Sequence, residues 1–151
     1  MITIFAVGKK HDDWVEPGIA RYEPRLKKPY DIHWQLLPHS VYDEDAARVD
    51  ESGAILAKLK PADYVILLDE RGENISSPAL SGMLEKSFTL SRNVVVIIGG
   101  AYGVDDSVHA RADFVWSLSR LVFPHQLVRL VLIEQLYRAQ QIAHGHPYHH
   151  S

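Results

Sequence analysis

The sequence has no cysteine among its 151 residues. That absence excludes disulfide cross-links, thiolate zinc sites, iron–sulfur ligation and thiol nucleophiles. No apolar run approaches the roughly 20 residues that a membrane helix needs. The opening Ile2-Thr3-Ile4-Phe5-Ala6-Val7 is broken at once by Gly8-Lys9-Lys10, so nothing resembles a signal peptide. There is no G-x-x-x-x-G-K-[ST] phosphate loop and no G-x-S-x-G nucleophile turn. What remains, 46% hydrophobic and 23% charged with 9 Gly and 8 Pro, excludes a disordered tail, a collagen-like fibre and a coiled coil. A soluble, cytoplasmic, single-domain protein is expected from this balance.

Charge is unevenly spread. Residues 1–113 carry 13 Lys/Arg against 18 Asp/Glu, whereas residues 114–151 carry Arg120, Arg129 and Arg138 against Glu134 alone. Five of the nine histidines, His125, His144, His146, His149 and His150, lie in that last quarter. The imbalance suits an anionic ligand there and is also within the ordinary spread for small domains. The terminal histidines could be arranged around zinc or nickel, but no other ligand set accompanies them, and no metal is expected.

Periodicity alternates strand and helix. Strands are expected at 2–7, 31–37, 64–68, 94–98 and 113–116, and helices at 14–26, 43–59, 77–89 and 124–143. Residues 69–74 read as a polar turn. Val94-Val95-Val96-Ile97-Ile98 is apolar on both faces, as a central parallel strand is. The last helix carries apolar residues almost all the way round, including Leu127, Leu130, Ile133 and Leu136, so a second subunit is expected to cover it. The class is α/β, three-layered, with a parallel sheet.

Ligands of such sheets bind beyond the carboxyl ends of the strands. Three of those ends are unusual: Asp69-Glu70-Arg71-Gly72-Glu73, Gly99-Gly100-Ala101-Tyr102-Gly103, and the apolar Leu118-Ser119-Arg120-Leu121-Val122-Phe123. The glycines do not have dinucleotide-fingerprint spacing, but backbone without Cβ lets a flat ligand come close. An apolar loop must be covered by protein or ligand, and an adenine ring suits it. Glu134 and Arg138, four apart on one helix, read first as an ion pair. These observations reach a nucleotide-like ligand site and no reaction.

Five blocks together resemble a known family: Val96–Gly103, Ser117-Leu118-Ser119, Phe123-Pro124-His125-Gln126-Leu127-Val128-Arg129, Glu134–Ala139 and His146-Pro147-Tyr148-His149. This order resembles the bacterial ribosomal large-subunit methyltransferase H family, of the SPOUT class, over the whole chain. The resemblance implies one SPOUT domain over residues 1–151, with a trefoil knot near the C-terminus, acting as a homodimer. It implies methyl transfer from S-adenosylmethionine to N3 of a pseudouridine in 23S rRNA, in the 70S ribosome or large subunit. Its cofactor pocket maps to Leu68, Gly99, Leu118, Ser119, Arg120, Leu121, Val122 and Phe123. Relatives often carry Lys or Arg where this chain ends in His150-Ser151.

A methyl sulfonium needs no metal to react, but an imide N3 must lose its proton. Catalytic candidates by type are His149 and His125, with His146 beside them, Tyr148 as orienter and Arg138 stabilising imidate charge. Arg129 and His146 are expected at RNA phosphates. A non-catalytic RNA-binding module and a metal-binding protein are the competing readings.

Overall fold

The computed structural model describes residues 1–150. Five strands, β1 (Ile2–Val7), β2 (Ile32–Leu37), β3 (Tyr64–Glu73), β4 (Val94–Ile98) and β5 (Phe114–Trp116), form one sheet in the order β2-β1-β4-β3-β5. Every pairing is parallel. Because side chains alternate along a strand, the central strands supply two apolar faces. Ile2, Ile4, Ala6, Val94, Val96 and Ile98 enter one cluster, and Phe5, Val7, Val95 and Ile97 enter the other. Helices α1 (Glu16–Tyr22), α3 (Ser77–Thr89) and α5 (His125–Ala143) supply the first cluster. Helices α2 (Glu44–Leu56) and α4 (Asp106–Arg111) supply the second through Ile55 and Val108. The expected three-layer α/β fold with a parallel sheet is present.

Three elements differ from the sequence reading. The helix expected over 14–26 is α1 followed by a 3₁₀ turn at Glu23–Arg25, because Pro24 has no N–H to continue the α-helical ladder. The polar turn expected at 69–74 is mostly strand, since β3 runs on to Glu73. Leu68 and Glu73 both stand opposite Trp116, with an irregularity between them, so the polar residues bulge outward instead of turning back. Helix α4 was absent from the sequence reading. It has six residues and one buried side chain, Val108, too few for a period. Its start is nevertheless well capped, since the Asp105 carboxylate accepts from the N–H groups of Ser107 and Val108.

In α5 the apolar residues do point widely. No residue from His125 to Ala143 is exposed, and Arg129, Leu132, Ile133, Leu136, Ala139 and Gln140 are buried. Gly18 of α1 permits this packing: a Cβ there would lie 2.8 Å from Leu130 Cδ1.

The close approach of β3 to β5 depends on Gly72, where a Cβ would fall 2.4 Å from the carbonyl oxygen of Val115. Gly72→Ala is therefore expected to cost about 1–3 kcal/mol, as overpacking against rigid backbone does. Urea unfolding should show a lower midpoint at unchanged slope; an unchanged midpoint would mean that β5 yields freely.

Candidate active site

The carboxyl ends of β3, β4 and β5 open onto one cleft of about 850 Å3. Leu68, Gly99, Leu118, Ser119, Leu121, Val122 and Phe123 all line it, as does His125. Arg120, expected with them, is exposed and takes no part in the lining. It is the only charged residue of its loop, and staying in water spares it desolvation. Gly99 is packed closely from below: a Cβ there would meet Val104 Cγ1 at 3.2 Å and the Gly103 carbonyl carbon at 3.3 Å. The apolar loop holds its own shape. Ser117 Oγ donates to the Ser119 carbonyl at 2.8 Å, Ser119 Oγ accepts from the Leu121 N–H at 3.0 Å, and Asn74 Nδ2 donates to the Ser117 carbonyl at 2.8 Å.

Helix α2 fixes the opposite wall, which no sequence signal disclosed. Arg48 Nε donates to the Tyr102 carbonyl at 2.8 Å, and Ser52 Oγ accepts from the Asp105 N–H at 2.9 Å. The rim is polar. Asp69 lies between Arg71 at 2.8 Å and His109 Nε2 at 3.1 Å, and the Arg71 guanidinium holds its carboxyl below the usual range. One end of the cleft is therefore apolar and the other carries carboxylates and guanidinium groups, the pattern of a site for an amphipathic small molecule.

Two histidines near Arg129, His125 at the start of α5 and His11 in the loop after β1, behave alike. Burial, then the neighbouring Arg129 charge, lowers the His125 pKa from 6.5. The same two causes lower that of His11. Arg129 NH1 lies 3.2 Å from His11 Nδ1; guanidinium can only donate, so Nδ1 is the acceptor and His11 is neutral with its hydrogen on Nε2. Arg129 itself corrects the sequence reading. It is wholly buried, and donates to the carbonyls of Val7 at 3.0 Å, Gly8 at 3.2 Å and Lys10 at 2.9 Å. Both terminal nitrogens are committed inside the protein and Nε is buried without a partner, so an RNA phosphate cannot reach this side chain.

The remaining candidates gather at the far end of α5. Glu134 Oε1 accepts from Arg138 Nε at 3.0 Å and NH2 at 2.6 Å, and from Tyr148 Oη at 3.2 Å. The guanidinium lies 4.8 Å over the Tyr148 ring. Burial, with Tyr22 and Glu134 beside it, pushes the Tyr148 phenol up to about 12, so it stays protonated. Arg138 NH1 donates to His149 Nδ1 at 3.2 Å. Neutral His149 then carries its hydrogen on Nε2 and presents a donor outward. The tail is thus folded back onto α5 by this chain's own side chains. His146 is exposed, and its ring stands edge-on to His144 at 6.1 Å.

These two groups do not meet. Arg138 is thirteen residues beyond His125, about 20 Å along the helix at 1.5 Å per residue.

A parallel sheet with a glycine-walled, part-apolar cleft over its carboxyl ends is the architecture of an α/β enzyme that binds a nucleotide-like cofactor. Comparison with known proteins gives the class. Residues 1–149 match a family model described as "Predicted SPOUT methyltransferase". The chain is 41% identical over 152 residues to "Ribosomal RNA large subunit methyltransferase H" of Dichelobacter nodosus, covering 98% of this chain and 97% of that protein. It is 42% identical over 154 residues to the protein of the same name from Geobacter metallireducens, covering 99% of each. The chain belongs to the SPOUT methyltransferase family. Its methyl donor is S-adenosylmethionine, and the cleft fits that molecule in volume, in its apolar loop and in its polar rim.

Arg129→Ala is expected to cost at least about 3 kcal/mol, because several buried carbonyls lose their donor at about 1–3 kcal/mol each. Thermal unfolding checks this, and an unchanged transition would move the weight elsewhere. His125 and His11 both bind a proton less readily in the folded chain. Their stability contribution is therefore complete above the unfolded value of about 6.5 and is lost as pH falls through the lowered native values. Urea midpoints should drop as pH falls below about 6.5, and His125→Gln should flatten that drop.

Proposed function

We propose that the protein is a cytoplasmic homodimer that methylates N3 of a pseudouridine in 23S rRNA, acting on the 70S ribosome or the large subunit. The relatives' shared name supports rRNA as the substrate. The proposal treats residues 1–151 as one domain and includes a trefoil knot near the C-terminus.

The observation that carries the dimer is the separation of cleft and tail. His125 lies at the cleft, while Arg138 stands about 20 Å along the same helix, with Tyr148 and His149 of the tail folded against it. Two α5 helices packed antiparallel bring one subunit's tail to the other's cleft. The surface near the start of α5 suits such packing, with Trp14, Leu121 and Val122 exposed at 59%, 71% and 77%.

The bound cofactor supplies an electrophilic methyl group on positively charged sulfur. The chain must hold the base in line and take up the N3 proton. His125, kept neutral by burial and by Arg129, accepts that proton. As negative charge spreads onto the ring oxygens, the His149 Nε2 hydrogen, set by Arg138 on Nδ1, donates to one of them. Tyr148 and Glu134 keep Arg138 in place. Exposed His146 is available to rRNA phosphate.

Ribosomes from a strain lacking the modification should accept one methyl group, recovered as the N3-methylated base. Absence of that product would overturn the proposal. His125→Ala and His149→Ala should each lower kcat by about 10²-fold. If the site is shared, an exchanged mixture of the two variants regains activity that neither has alone. A mixture no more active than its components would mean that each subunit works by itself. Light scattering on the 17.1 kDa chain should give twice that mass.

A further inference from the structure

The layer of α2 and α4 lies across the sheet from α5, and its outer surface is unlike the rest of the molecule. At the start of α2, Val41, Tyr42 and Val49 are 90%, 58% and 61% exposed. Tyr42, Ala46 and Val49 wall a shallow groove of about 460 Å3 whose remaining lining is Asp45 and Asp50. These apolar groups are not the edge of the core, for α2 faces the sheet with Ala47, Glu51, Ser52 and Ile55. Around the groove stand Asp43, Glu44, Asp45 and Asp50, all exposed. Arg48 is the one basic residue among 41–50, and it is committed to Asp45 and to the Tyr102 carbonyl. It also lines the cofactor cleft, so groove and cleft share a border.

The charge decides the occupant. With Asp45 paired to Arg48, RNA phosphate still meets three carboxylates here, Asp43, Glu44 and Asp50, and is repelled. A second copy of this face would set the same carboxylates against themselves, and the apolar surface that suits a dimer lies on the other layer. The fitting partner is cationic and has an apolar side chain to fill the groove. In a ribonucleoprotein particle the component of positive charge is its protein. Resting on the reading above, we propose that the Tyr42–Val49 groove docks a Lys/Arg-rich segment of a ribosomal protein beside the methylation target. Such a contact requires an assembled particle and orients the cleft over one nucleotide.

A photoreactive amino acid placed at position 49, irradiated with 70S ribosomes, should cross-link to a basic ribosomal protein. Cross-links to rRNA or to a second copy of the chain, or none at all, would overturn the docking. In parallel, Tyr42→Ser with Val49→Ser, and separately Asp50→Lys, should raise KM for 70S ribosomes by about tenfold. Their kcat and S-adenosylmethionine affinity should stay at the wild-type level, which also shows that the variants fold. Unchanged KM in all variants would sink the idea. Cross-linking reads the docking whether or not a methyl group is transferred. Wild-type protein that cross-links but does not methylate would defeat the rRNA assignment and leave the docking standing.

Discussion

A guanidinium enclosed in protein, with no carboxylate bonded to it, is an expensive group to bury. Arg129 is held this way by three carbonyls at and just beyond the end of β1, one of which, that of Lys10, also accepts from Gln126 Nε2. Burial lowers its pKa, and the charge of Asp12 works against that. The effects spread outward from this one side chain. It ties the first strand to the last helix and fixes the rotation of α5. It also sets the tautomer of His11 and helps keep His125 neutral at the cleft. A conservative exchange for Lys would leave a single point donor where a fork now spans several acceptors.

The architecture was largely readable from the sequence because a two-faced parallel sheet imposes long apolar runs, and Val94–Ile98 has one. That Leu118–Phe123 borders the cleft was readable too, since it is too apolar to be an ordinary surface connection. Helix α4 was not, because its stability comes from the Asp105 cap and one contact through Val108 rather than from a period. The extension of β3 was hidden by its composition. Asp69, Glu70 and Arg71 look like a turn, yet they lie on a bulged strand whose return Gly72 makes possible. Arg129 shows the limit most clearly. An Arg among His and Gln looks like a phosphate contact, and only the fold shows that its fork is already occupied.

The tail shows how a hydrogen bond can assign chemistry. His149 and His125 are the same residue type and could equally be the base on sequence grounds. An arginine on Nδ1 gives His149 an outward donor, whereas His125 is kept unprotonated by burial. The two imidazoles differ in the group they offer, and they stand at opposite ends of α5, His125 within it and His149 held to it through Arg138.

The bond between Arg129 NH2 and the Val7 carbonyl joins residues 122 apart in a chain of 151. During synthesis the first strand is made long before its partner in α5. Until then the loop after β1 keeps its carbonyls unpaired, and β4, which pairs with β1, is itself far along the chain. Almost no part of this sheet can form from neighbouring sequence alone, so contacts of long separation govern its folding. The cleft therefore takes shape only once segments more than a hundred residues apart have met.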